Sequence, residues 1–513
     1  ILKRIRNEEI KRSEANFYDL NAKFDITLNP KHSLSLSGYY SDDVFHKNLR
    51  DTSFEYTNQS LNLGWKYRIN PALIMNTNLI YSGYFNSLTD KAFPERAYDV
   101  KYNIDYYEYR NDFTYFLSNE HLLNFGISGA LYSLTPGILR QVGDESSVVP
   151  ERIEKERGLD MALYISDEYK ISRKLTLNAG LRYSFYAYLS PNRVFGYADG
   201  LPLDISTLRD TIFYEGFGII DSNHGPEPRI SLRYTLGDNN SLKVGYSRMR
   251  QNIHIMSNTF SVSPTDTWKL SDPNITRQVA DQVSLGYYQN LFNGRIETSV
   301  ETYYKRIDGL KDYKVAATLL MNEHIETELV DTEGRAYGAE LLIRKPSGRL
   351  NGWISYTYSR IEQRTRSGFR EEQINSNAWF PAIYDKPHSL SVVGSFRFNR
   401  RFSISSNVVY STGRPITYPV ARYNFRNGQF LHYSERNKYR VEDYFRWDIS
   451  FNLDGNLRID QIAHSFWSLS VYNITGRDNT YSVYFVSGKK DVQGYKMSIF
   501  AEPIISLSYN FRF

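Results

Sequence analysis

The sequence predicts an all-β fold, an antiparallel barrel whose strands cross a membrane, and three observations carry that prediction. Apolar and polar residues alternate with period two along most of the chain. The alternating segments are long enough to span a bilayer. Short turns and long polar loops follow one another in rotation.

The alternation is plainest in three places. From Leu175 to Phe185, Leu175, Leu177, Ala179, Leu181, Tyr183 and Phe185 share one face of a strand, and Thr176, Asn178, Gly180, Arg182 and Ser184 share the other. Leu61, Leu63, Trp65, Tyr67 and Ile69 oppose Asn62, Gly64, Lys66 and Arg68. Phe445, Trp447, Ile449, Phe451 and Leu453 oppose Arg446, Asp448, Ser450 and Asn452. In a membrane barrel the first set meets lipid and the second a polar lumen. Roughly nineteen such segments can be counted, most reaching the ~9–11 residues of a tilted spanning strand, against ~5–6 in soluble sheets.

The segments come in pairs. Asn29-Pro30-Lys31, Asn70-Pro71, Ser118-Asn119-Glu120, Ser172-Arg173, Gly237-Asp238-Asn239, Asn293-Gly294, Pro346-Ser347-Gly348 and Asn399-Arg400 carry turn chemistry within pairs. Between pairs the chain takes long polar excursions over 133–159, 190–227, 250–279, 307–334, 361–386 and 412–442. An antiparallel meander sends alternate connections to opposite sides of the membrane, and outer-membrane barrels keep one side short and the other long. A soluble sandwich or propeller follows no such rule. No domain boundary interrupts the pattern, so residues 1–513 read as one barrel unit; cutting it would leave unpaired edges in lipid. A closed wall of this kind is expected to have about 22 strands, roughly nineteen of them visible here.

Composition narrows the class further. The mean hydropathy of −0.51 would suit a soluble protein, but 15% of residues are aromatic, including 43 Tyr and 29 Phe, which suit pleated surfaces and the headgroup level of a bilayer. Cysteine is absent, which excludes disulfides and thiolate metal sites. No stretch approaches the ~18 consecutive apolar residues of a spanning helix, so crossing must be by strands. The net charge of +5, with basic and acidic residues interspersed, makes no case for nucleic acid.

Several stretches carry a resemblance. Ala162-Leu163-Tyr164-Ile165-Ser166-Asp167-Glu168-Tyr169-Lys170-Ile171 followed by Leu175–Tyr183 is similar to a hairpin of TonB-dependent receptors, especially the type common in Bacteroidetes. Glu227–Tyr234, Glu333–Leu341, Tyr384–Leu390 and Val471–Arg477 follow in that family's order. The resemblance covers about residue 160 to the end; residues 1–159 match by pattern alone. The last strand, Ile505–Phe513, resembles the terminal strand of outer-membrane barrels, in which the final aromatic is the assembly signal, here Phe513.

The resemblance implies a multi-pass protein of the cell outer membrane that imports a scarce nutrient, such as a metal chelate, vitamin, glycan or peptide. It implies the lipid bilayer and, through a plug, a TonB complex as partners. A contrasting reading is a barrel that does not transport and serves as scaffold or docking partner for surface lipoproteins or a secretion complex. Counting back from Phe513 makes the segment near Phe17 about the fourth of 22 strands, so the plug, about three strands and a signal peptide are expected ahead of Ile1.

No catalytic residue, metal site or cofactor is expected, and the chain does not read as an enzyme. The nine histidines lack metal-site spacing, and Glu323, His324 and Glu326 fall in a polar loop where solvation is expected. Substrate contacts are expected on the long loops and rims, with Trp268, Trp379, Phe380 and Arg414 as candidates, because large aromatics on polar loops stack on ligands or anchor among headgroups. Arg182, Arg233 and Arg335 are assigned to the lumen by alternation. Gly334 and Gly338 are expected to permit a bulge or a close backbone approach.

Overall fold

The computed structural model describes residues 13–47, 51–256, 267–315, 317–425, 428–455, 464–487, 492–498 and 501–512. Nineteen long strands form one antiparallel sheet, which counts as 21-stranded with the two-residue pieces Glu151–Arg152 and Phe380–Pro381. In chain order they are β1 (Glu14–Asn29), β2 (His32–Lys47), β3 (Thr52–Asn70), β4 (Leu73–Asp90), β5 (Tyr98–Phe116), β6 (His121–Gln141) and β7 (Glu156–Lys170). Then come β8 (Leu175–Leu189), β9 (Ile219–Gly237), β10 (Asn240–Gln251), β11 (Gln278–Leu291), β12 (Ile296–Tyr313) and β13 (Leu329–Lys345). The last are β14 (Leu350–Thr365), β15 (His388–Arg397), β16 (Phe402–Ser411), β17 (Tyr444–Asp454), β18 (His464–Tyr472) and β19 (Ile504–Arg512).

Each strand pairs with the next in sequence, from β1–β2 to β18–β19. Among the described residues β1 and β19 are each paired on one side only. Helix is confined, among those residues, to 3-10 turns of three or four residues. The fold is the predicted all-β transmembrane barrel type, and all eight predicted tight turns lie between paired strands.

The turns close by a repeated device. The side-chain oxygen of Asn29 accepts from the backbone N–H groups of Lys31 and His32 at 2.9 and 3.0 Å. Asn70 and Asn399 do the same for the residues two and three positions on. An Asx turn satisfies amides that a hairpin end would otherwise leave open.

Just inside the turns an aromatic girdle covers the apolar face. His32, Trp65 and Tyr67 stack with centroids 4.4–5.9 Å apart, Phe113 lies 5.1 Å from Phe125, and Trp467 lies 4.8 Å from Tyr509. Each such pair contributes ~0.5–1.5 kcal/mol beyond its buried area, at the depth where rings suit the water–lipid boundary.

The strands run further than the alternation suggests. The segments 133–159, 190–227, 307–334 and 361–386 were expected to be loop, yet β6 reaches Gln141, β7 starts at Glu156, β9 at Ile219, and β12 and β13 extend to Tyr313 and from Leu329. Above the lipid both faces of a strand meet polar surroundings, so pairing continues where alternation fades. The wall also bulges here: pairing shifts between Ile307 and Leu310, Gly309 takes a left-handed φ of 76°, and Gly334 faces the bulge. A Cβ on Gly338 would collide with the Tyr358 carbonyl, so the predicted close approach is real.

Candidate functional site

The long connections fold back over the inner face of the wall at its loop end. Four of them carry hairpins, and two of these cover the site: Asn192–Tyr197 with Leu208–Tyr214, then Ile253–Met256 with Thr267–Leu270. The second plants Leu270 among Leu134, Tyr186 and Tyr188 of the wall, all buried, with Trp268 packed at the edge. The Tyr186 hydroxyl donates to the Ser271 carbonyl at 2.8 Å.

An ion cluster ties this hairpin to β7. The Lys269 ammonium donates to Glu156 at 2.7 Å and to Asp272 at 2.5 Å, and the Leu270 N–H donates to the other Glu156 oxygen at 2.9 Å. Burial works against the Lys269 charge, but Asp272 and Glu156 outweigh it and hold its pKa well above the ordinary lysine value. Such a network is costly to break, because removing one partner strands a buried charge.

The neighbouring loop is packed, contrary to the solvation expected for Glu323, His324 and Glu326. Glu326 is buried and accepts from the Tyr197 hydroxyl at 2.6 Å; burial and that contact raise the Tyr197 pKa. The His324 ring lies 4.1 Å from Phe195, and Glu323 pairs with Arg193. Loop-to-loop packing supplies the partners that water was expected to supply. A cavity of about 50 Å³ between these loops has room for little beyond water.

Below the hairpins the inner face holds a larger cavity of about 460 Å³. Arg110, Arg182, Arg229, Arg250 and Lys305 line it against only two carboxylates, Asp160 and Glu227, with Gln251, Asn252 and Gln278 adding amides. Each strand contributes one to three residues, and cross-strand register brings them together: Arg182 stands opposite Glu227, and Arg229 opposite Ser247. A cleft with more cations than anions focuses positive potential and attracts anionic ligands. Among the described residues no group of three His, Asp or Glu could hold a metal ion.

Of the residues chosen from sequence, Arg182 lines this cavity, and Arg233 shares its face of β9 with Glu227 and Arg229. Arg335 is a correction: it shares a face with Tyr337 and Leu341 and stands opposite Arg306, on the outer face of the wall. It lies at the loop end, where an outward charge meets headgroups and water instead of hydrocarbon, so alternation there no longer separates lipid from lumen.

The four substrate candidates are not gathered into one site. Trp268 packs in the hairpin described above. Phe380 is buried with Val330 and Ile374 on the inner face. Trp379, the residue before it, turns outward over Arg335 and Arg364, with centroid distances of 4.2 and 4.6 Å. Arg414 is half-buried in the connection after β16, and burial lowers its pKa. Phe513 lies outside the described residues. Sequence reasoning missed Arg110, Asp160, Glu227, Arg229 and Lys305; counting inward charges upward from each tight turn would have placed them near one height.

Comparison with known proteins agrees with this architecture. The family description "TonB dependent receptor-like, beta-barrel" matches residues 5–474. No curated protein matches the chain. Among solved structures, the ferric-catecholate import receptor Fiu from E. coli K12 superposes with a TM-score of 0.61 at 12% identity, over 97% of this chain and 74% of that one. BauA, the ferric preacinetobactin receptor from Acinetobacter baumannii, gives 0.62 at 11% over 97% and 72%. The copper transporter OprC gives 0.62 at 11% over 91% and 67%. At such identities these likenesses speak for the fold alone. The family match spans most of the chain and agrees with the strand pattern: this chain belongs to the TonB-dependent receptor β-barrel family and is an outer-membrane protein that crosses by strands.

Proposed function

We propose that this chain forms the wall and outer vestibule of an energy-coupled importer, and that its ligand is a scarce anionic nutrient such as a metal chelate. One observation carries the reading beyond family membership: the inner cavity beneath the loop hairpins presents five cations against two carboxylates. Import of ferric-catecholate by Fiu and reception of ferric preacinetobactin by BauA are compatible with such a site. In this reading the long loops face the exterior and close over the ligand, and a periplasmic TonB complex supplies the energy for passage. The chain spans 67–74% of the length of the three structures compared.

The test is ligand retention. The intact receptor is purified from cells lacking TonB, where ligand can bind but not pass, and analysed by native mass spectrometry. One small anionic compound should be retained, and the pair Arg182→Gln with Arg229→Gln should lower its occupancy about tenfold or more, since each removes a charge-assisted contact. A receptor that carries no small molecule and instead holds a stoichiometric surface lipoprotein would establish the scaffold reading.

A further inference from the structure

The outer face of β10 to β14 carries a feature that import does not use. Cross-strand register arranges it in rows. Val244, Leu285, Thr302, Ala339 and Tyr358 form one row at mid-wall. Two residues toward the loop end lies a row with Tyr246, Val283, Tyr304 and Tyr337. Two further on, the row reads Arg248, Asp281, Arg306, Arg335 and Glu362. This is the lipid-facing side, because Val244, Leu285 and Tyr304 are 52%, 49% and 47% exposed while Lys305 lines the inner cavity.

The rows are ~6.8 Å apart along the strands, so the charges begin within the tyrosine belt, where Arg360 stands opposite Tyr337, and gather one step above it, at headgroup depth. The third row has an internal conflict. Arg306 and Arg335 stand directly opposite each other, an arrangement that destabilises a strand pair. Their acids lie to the sides: Arg306 reaches Asp308 at 3.3 Å and Glu333 at 3.4 Å, and Arg335 reaches Glu362 at 2.8 Å. Glu333 is further shared with Arg364 and Arg366, so three arginines draw on one carboxylate. With Arg248 and Arg360 the patch holds six arginines against five carboxylates, Asp385 being reached by Arg360 at 4.0 Å. Trp379 covers Arg335 and Arg364 and restrains their guanidinium planes.

We infer that this patch binds the phosphate groups of an outer-leaflet lipid. An anion seated between Arg306 and Arg335 relieves their mutual repulsion, and the guanidinium fork matches phosphate oxygens in a way that an ammonium does not. The surplus of positive charge lies on the face turned to lipid, at the depth where lipid phosphates sit. The inference rests on the proposed reading for the outward placement of the loops, but no residue of the inner cavity takes part.

The experiment uses the intact receptor, freed of lipid by detergent exchange and titrated with lipid A in its diphosphorylated and dephosphorylated forms, with bound lipid read by native mass spectrometry. The diphosphorylated form should bind about tenfold or more tightly than the other. Arg306→Gln with Arg335→Gln should erase that preference while the unboiled protein still migrates faster than the boiled one. Arg366→Gln, at a half-exposed position, serves as the milder variant and should weaken the preference without disturbing the fold. Equal affinity for the two lipids in the unaltered receptor, or an undiminished preference in the folded variants, would overturn the inference and leave the arginines as ion-pair partners only.

Discussion

His254 illustrates how a loop residue is held by the wall. It is 1% exposed; its Nε2 lies 2.9 Å from the Ser271 hydroxyl, and its Nδ1 lies 3.0 Å from the Gln278 amide nitrogen. With the amide donating to Nδ1, Nε2 carries the proton and the ring is neutral. Burial first, then Lys311, pushes its pKa down to about 4, against the opposing pull of Asp331 and Asp272. An opened hairpin would expose an ordinary histidine near 6.5. Since the folded pKa is the lower one, the open state takes up the proton first as pH falls, and stability present above about 6.5 is lost progressively toward 4. By pH 5 the loss is about 2 kcal/mol. Hydrogen exchange of Ile253–Met256 and Thr267–Leu270, corrected for intrinsic rates, should therefore show marked loss of protection between pH 7 and pH 5. Protection that is constant over that interval would mean that His254 is not the group holding the hairpin closed.

Among the elements, the loops and turns differ in what a protease can reach. The connection after β8 carries an exposed Arg209 in its hairpin, while the turn between β7 and β8 exposes Arg173 and Lys174 on the opposite side of the sheet. Trypsin added to intact cells should cut after Arg209 and spare Arg173 and Lys174 until the outer membrane is permeabilised. Cleavage in the reverse order would turn the topology over. The legibility of these elements in the sequence follows the same division. Tight turns were readable because Asn, Ser, Gly and Pro act through their own local geometry, as Asn29, Asn70 and Asn399 do. Spanning strands were readable because lipid on one face enforces alternation. The loop hairpins were not, since polar segments such as 192–214 take their register from tertiary contacts, for example Asn192 with Tyr188. Arg335 was placed on the wrong face because the period-two argument was carried past the height at which lipid enforces it, and the inner cavity escaped notice because its residues are scattered a few per strand between Arg110 and Ile307.

For the whole molecule, the function proposed from family membership and the cationic inner cavity makes a single claim, that passage through this barrel is driven and not diffusive. The decisive measurement is accumulation, by intact cells, of the compound that the purified receptor retains, in strains with and without a functional TonB. The account predicts saturable uptake that requires this receptor and falls to background when TonB is lost. Uptake that rises in proportion to external concentration and is unchanged by the loss of TonB would contradict it.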